Sequence, residues 1–159
     1  MVIVQEADFD GAALQADLRA RVGAQAGAIV TFTGYVRDFA PGQATDTLFL
    51  EHYPGMCERE LHDIADTARE RWQLAGTVIA HRVGALPRHA QIVFVAAASA
   101  HRGDAFRGCE YMIDALKTRA PFWKRETLSD GSSFWVEARQ TDHDRTEAWN
   151  TNPTSERST

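Results

Sequence analysis

With 159 residues, 44% of them hydrophobic and 25% charged, the chain is long enough to bury a core and too apolar to be disordered. Its net charge of −5 argues against a general nucleic-acid binder, whose affinity rests on broad phosphate neutralisation. No apolar run approaches the roughly 18 residues of a membrane helix, the start lacks the features of a signal peptide, and two cysteines make no disulfide framework, so the cytoplasm is expected.

The N-terminal "VIVQE" (2–6) reads as a short strand. Asp10 is a helix N-cap, with Leu14, Leu18 and Val22 at helical spacing and Gly23 as the stop. "GAIVTFTGYVR" (27–37) alternates: Ala28, Val30, Phe32, Gly34 and Val36 on one face, Thr31, Thr33, Tyr35 and Arg37 on the other. Residues 38–46 have loop composition, and "TLFLEHY" (47–53) is the next strand. Residues 56–72 form an amphipathic helix with Leu61, Ile64, Ala65, Ala68 and Trp72 inward. "GTVIAHRVGAL" (76–86) and "QIVFVAAASA" (91–100) are strands around a turn at Pro87, the second apolar enough to be central.

A helix follows over 103–119, with Phe106, Cys109, Ile113 and Leu116 inward and Pro121 as the stop. "FWKRETL" and "SFWVEAR" pair as a hairpin around "SDGS". Residues 1–140 are thus expected to form one domain, and the polar residues 141–159 a frayed, flexible tail. Strands outnumber helices about two to one and several are joined by short turns. That favours an α+β domain, with a mixed or antiparallel sheet and flanking helices, over a regular alternation.

In this acidic chain "LKTRAPFWKRE" (116–126) is a local exception. Lys117, Arg119, Lys124 and Arg125 surround a proline with no acidic residue among them. Lys117 sits in the last turn of its helix, where a surface lysine is favoured by the helix dipole in any case. The break at Pro121 also allows Lys117 and Lys124 to face one cavity, where each lowers the other's proton affinity. Such a lysine serves as nucleophile or proton shuttle. Arg125 adds a fork for phosphate. Phe122 and Trp123 are either core or the walls for a flat heterocycle.

In "SAHRGD" (99–104), His101 and Arg102 lie between a strand end and a helix N-terminus, a ready anion site, or they merely cap the helix. Arg37 ends a strand before a Gly-Pro loop that can reach a neighbouring chain. Together these cations point to an anionic small molecule. Cys57 has no ordering partner at a recognisable spacing, Cys109 falls on an apolar stripe, and the histidines lack paired ligand spacing, so neither a cysteine nucleophile nor a metal or other cofactor is expected. The aromatic-basic run leaves a single-stranded RNA module open, and a docking module without catalysis is the other alternative.

"TFTGYVR", "LEHYPGM", "IVFVAAASAHR", "LKTRAPFWKRE" and "WVEAR" resemble, in order, the signature segments of the large, catalytic subunit of molybdopterin synthase. The resemblance covers most of residues 2–140. It implies a hammerhead-type α+β fold and a central homodimer within a heterotetramer. Each large subunit binds a small ubiquitin-like sulfur carrier whose Gly-Gly tail ends in a thiocarboxylate. Two sulfurs pass to a cyclic pyranopterin monophosphate to make the molybdopterin dithiolene, a step of molybdenum cofactor biosynthesis.

On this resemblance Lys117 meets the carrier's C-terminus, and Lys124, with Arg125 and Glu126, is the second catalytic segment. Arg37, with Tyr35 and Val36, is a substrate-contacting strand end, although Tyr35 stands where relatives often carry lysine. His101 and Arg102 hold the phosphate. Phe32 and Met112 are pocket walls. A site shared across the dimer, with Arg37 and Lys117 from different chains, is expected.

Overall fold

The computed structural model describes residues 1–37, 45–136 and 140–151. Among them the chain forms strands β1 (Val2–Gln5), β2 (Ala28–Tyr35), β3 (Thr45–His52), β4 (Gly76–Arg82), β5 (Gly84–Pro87), β6 (Gln91–Ser99), β7 (Phe122–Leu128) and β8 (Ser133–Val136). The helices are α1 (Gly11–Val22), α2 (Met56–Trp72), α3 (Arg102–Thr118) and α4 (Gln140–Thr151). The α+β architecture expected from the sequence holds. No described helix is long and apolar enough to cross a membrane.

The strands make two four-stranded sheets. The first, ordered β1-β4-β6-β2, is mixed, with β1 parallel to β4 and the other pairs antiparallel. β6 lies inside it, as its continuous apolar run predicts. Val93, Val95 and Ala97 face α2 and α3, while Phe94, Ala96 and Ala98 face α1. α1 begins where Asp10 accepts the Ala13 N–H, and it ends at Gly23 with φ 53°. α2 buries the whole predicted stripe from Leu61 to Trp72.

The second sheet, ordered β5-β3-β7-β8, is antiparallel throughout. Val36, Leu48, Leu50 and Leu86 form its core. The stretch expected as one strand over 76–86 is two strands, β4 and β5, which belong to different sheets. The chain changes sheet at Gly84, whose φ of 77° a side chain would resist, so one glycine couples the two layers.

Two other expectations are corrected. Phe106 points out and is 61% exposed, while α3 buries Ala105, Gly108, Cys109, Met112 and Leu116. The helix approaches closely on that side: a Cβ on Gly108 would stand 2.7 Å from Leu74. The chain past Thr141 is not frayed through Thr151, because α4 docks on α3 and α2. Trp149 stands edge-on to Trp72 and Tyr111, at ring separations of 5.4 and 5.9 Å. Its Nε1 donates to Asp114 Oδ2 at 2.9 Å. One tryptophan and paired charges dock a helix that no apolar periodicity announces. Of the predicted loop, residues 38–44 lie outside the described residues, and Thr45 and Asp46 already belong to β3; residues 152–159 of the predicted tail also lie outside them.

Candidate active site

α3 ends at Thr118 and Pro121 forbids its continuation, so the chain turns back directly into β7. The pleat then sorts the basic-aromatic run. Phe122, Lys124, Glu126 and Leu128 share one face of β7, and Trp123, Arg125 and Thr127 share the other. Lys124 therefore points toward the interior and Lys117 reaches it from the end of α3. Burial lowers the proton affinity of Lys124 first, the positive charge of Lys117 lowers it further, and Asp142 opposes both. Lys117 keeps a half-exposed side chain, with Nζ 3.3 Å from Asp142 Oδ1.

Glu126 is wholly buried two residues beyond Lys124. Its Oε1 accepts a short hydrogen bond from the Thr45 hydroxyl, and its Oε2 has no hydrogen-bond partner among the described residues. The Thr45 hydroxyl also lies 3.4 Å from the Arg37 carbonyl oxygen. The chain just past β2 at Arg37 thus lies beside Thr45, at the start of the strand paired with β7.

His81 of β4 stacks on Phe122, with centroids 3.9 Å apart and planes 13° from parallel. Nδ1 lies 2.8 Å from the Arg82 carbonyl oxygen, so the ring presents a neutral imidazole with Nδ1 protonated. Burial lowers its pKa to about 4, against the backbone hydrogen bond to Arg82, and the nearby Lys124 and His52 add to the lowering.

Several expected residues stand elsewhere. Arg125 leaves the lysine face and lies over Phe49 and Trp135, at 5.3 and 5.9 Å from their ring centroids. Trp123 shares that outer face, so the two aromatics flanking the lysines part company. Met112 is fully enclosed between α2, α3 and the first sheet, and cannot line a pocket. Val36 is 1% exposed in the second core, because a register shift between Gly34 and Tyr35 ends the alternation of β2. Tyr35 is exposed, and Phe32 is partly exposed beside it on β2. His101 caps α3 and Arg102 opens it, both exposed. They stand about 22 Å along the helix from Lys117, so one chain cannot bring all three to one small substrate.

Cys57 and Cys109 are buried thiols whose pKa values burial pushes up to about 12. Neither supplies a thiolate near neutral pH.

His81 escaped the sequence reading, because a lone histidine inside an apolar strand carries no spacing signal. A plain count did carry one for the lysines. The chain uses fifteen arginines and two lysines, and the two lysines are Lys117 and Lys124. Arginine holds its proton at any working pH, whereas lysine releases one when buried. The side chain able to change charge is reserved for the place where two cations converge.

The family model described as "MoaE protein" matches residues 4–119. A "Molybdopterin synthase catalytic subunit" from Ralstonia nicotianae is 49% identical over 146 residues, 92% of this chain and 82% of the relative. The solved "Molybdopterin cofactor biosynthesis protein E" from Burkholderia multivorans superposes with a TM-score of 0.78 at 48% identity, covering 94% of this chain and 96% of that one. A Helicobacter pylori chain, from a complex of subunits 1 and 2 of molybdopterin-converting factor, shares the fold with a TM-score of 0.69 at 19% identity, over 87% of this chain and 91% of its own.

Proposed function

The chain belongs to the MoaE protein family, and from that premise we propose how it works as a molybdopterin synthase catalytic subunit: its two lysines move sulfur from a carrier's thiocarboxylate to a pterin. The observation that carries this reading is the convergence of Lys117 and a half-buried Lys124, the only lysines of the chain.

The chemistry calls for such a pair. The substrate, a cyclic pyranopterin monophosphate, brings a phosphate, and the carrier's Gly-Gly terminus brings an anionic thiocarboxylate. Two unit anions 4 Å apart repel by roughly 4 kcal/mol at an effective dielectric of 20. Fixed cations offset that repulsion. Lys117, at the exposed mouth, meets the carrier terminus. Lys124, deeper and with weakened proton affinity, donates to the leaving group or stabilises the oxyanion of the tetrahedral intermediate. The sulfur arrives on the partner, which agrees with two buried, inert thiols in this chain.

Arg37 supplies a further fixed cation for the anionic substrate. His101 and Arg102, too far from Lys117 along one helix, hold the phosphate at the site of a second copy. The working assembly is then a homodimer carrying two small carriers, in the cytoplasm. The solved Helicobacter pylori relative, a complex of two subunits, is consistent with a carrier partner.

Mixing the purified protein with a thiocarboxylated carrier and the cyclic pterin should yield the dithiolene product. Sulfide in place of the carrier should not support a comparable rate, and if it does the carrier-dependent mechanism fails. Sharing is read by subunit exchange between Lys117→Ala and Arg102→Ala proteins. A mixed dimer regains one intact site and up to half of wild-type activity, and proven exchange without recovery excludes a shared site.

A further inference from the structure

α4 carries only Ala148 and Trp149 as apolar residues, yet side chains from Asp142 to Trp149 fix it to the body. Asp114 of α3 is 4% exposed, and α4 takes both of its carboxylate oxygens: Arg145 Nε donates to Oδ1 at 3.1 Å and Trp149 Nε1 to Oδ2 at 2.9 Å. Arg145 also reaches Glu110 at 2.8 Å, and the Thr146 hydroxyl donates to the Asp114 carbonyl oxygen at 3.0 Å. A buried carboxylate left without these donors would be costly, so the helix and its seat belong together. The first turn of this anchored helix presents Asp142 to Lys117.

An ion pair between two mobile surface side chains contributes little. Here the acidic partner is carried on a docked helix and its side chain is 19% exposed, against 46% for Lys117. The pair is therefore suited to placing a charge more than to adding stability.

We propose that Asp142 is a positioning residue for the lysine pair: α4 brings its carboxylate to the Lys117 ammonium, fixes that charge beside Lys124, and leaves Lys124 as the lysine that exchanges its proton during sulfur transfer. This rests on the catalytic reading of the two lysines given above. The charged and titratable groups around Lys124 are Lys117 from α3, Asp142 from α4, the neutral His81 from β4, His52 from β3, and Glu126 on β7, which is engaged by Thr45. Asp142 is the acidic group among them that opposes the loss of the Lys124 proton, so it also limits how weak a base Lys124 becomes.

The two-lysine composition makes the test direct. Lysine labelled with ¹³C and ¹⁵N gives one signal for each site, assigned with Lys117→Arg. In Asp142→Asn the Lys124 signal should titrate at lower pH than in the wild type, and Asp142→Glu should restore it. Turnover in Asp142→Asn should fall about two- to fivefold, in kcat more than in KM, with the alkaline limb of the pH profile moved to lower pH. An unchanged Lys124 titration in Asp142→Asn, with Trp149 fluorescence reporting a docked α4, overturns the proposal. Faster turnover in Asp142→Asn also overturns it, since Asp142 would then compete for Lys117. The titration needs no substrate, so a wild-type protein with no turnover but an intact Asp142-dependent shift refutes the sulfur-transfer reading and Asp142's role in it, and leaves the electrostatic link established.

Discussion

The two sheets are insulated from water by different means. The first is closed by helices on both sides, and from Phe94 to Ser99 every residue of β6 is buried. Its interior is mostly apolar, with Phe9, Phe94, Trp72 and Tyr111 among the aliphatic side chains. The second sheet buries Leu48, Leu50 and Leu86, but sets a carboxylate, a threonine hydroxyl and an ammonium beside them at Glu126, Thr45 and Lys124. Charges taken out of water cost several kcal/mol each unless well matched, so the second sheet is the less stable design for its size. The contrast separates roles: the first sheet supplies stability, and the second holds reactive groups at the depth where their proton affinity changes. The stack of His81 on Phe122 and the crossing at Gly84 join the two, so the rigidity of one sheet fixes the chemistry of the other.

The largest effect should come from the charged side of this comparison. Lys124→Arg keeps a cation on β7 but cannot release its proton, and it should lower turnover at least about a hundredfold with little change in melting temperature. Lys117→Ala should lose a comparable factor while folding normally, because a lysine at a helix end contributes little stability. Single-turnover rates decide both. Lys124→Arg retaining a tenth or more of the wild-type rate would mean that a fixed charge suffices there.

The aliphatic side should show the opposite pattern. Met112→Ala removes a side chain with no exposed surface, and should cost about 2–5 kcal/mol of unfolding free energy. Turnover per folded molecule should stay within about threefold. Denaturant titration gives the first quantity and active-site-normalised kinetics the second. A large loss of turnover without destabilisation would return Met112 to the pocket wall where the sequence reading put it.

Residues that act through periodicity were legible in the sequence, and residues that act through the meeting of distant segments were not. The stripe of α2 and the central place of β6 follow from apolar spacing alone. So does the convergence of Lys117 and Lys124, because Pro121 fixes where the chain turns. Arg125 reads as one of their group because it neighbours Lys124 in sequence, yet adjacent residues on a strand point to opposite faces. Phe106 reads as inward by its hydrophobicity, but α3 turns Ala105, Gly108 and Cys109 to the core there and leaves Phe106 outside. α4 had no stripe to read, and its seat depends on Asp114, some thirty residues earlier. His81 meets Phe122 only because two sheets abut.

The junction itself can be tested by pH. His81 has an ordinary pKa of 6.5 when the chain is unfolded and about 4 when it is folded. Between those values the unfolded chain binds the extra proton and the folded one does not. Stability from this group is therefore complete above pH 6.5, falls as the pH drops toward 4, and levels off below it. The expected loss over that window is about 3 kcal/mol. His81→Phe, which keeps a ring against Phe122, should flatten that part of the stability profile. Denaturant midpoints at pH 7 and pH 4.5 make the comparison, and equal acid sensitivity in the two proteins would show that His81 is not the group responsible.

The smallest effect should come from two residues whose chemistry looks promising in the sequence and is silent in the fold. Cys57 stands early in α2, where a helix N-terminus favours a thiolate, but it is fully buried and burial pushes its pKa up to about 12. Cys109 is enclosed against the first sheet with the same shift. At neutral pH both remain thiols packed among aliphatic groups, and a thiol without a base to ionise it neither attacks nor stores sulfur. The double variant Cys57→Ala, Cys109→Ala should lose about 1 kcal/mol for each buried sulfur removed, and its turnover with a thiocarboxylated carrier should match the wild type. A correctly folded double variant with no activity would move the sulfur onto this chain, and the division between a stabilising first sheet and a reactive second one would fail with it.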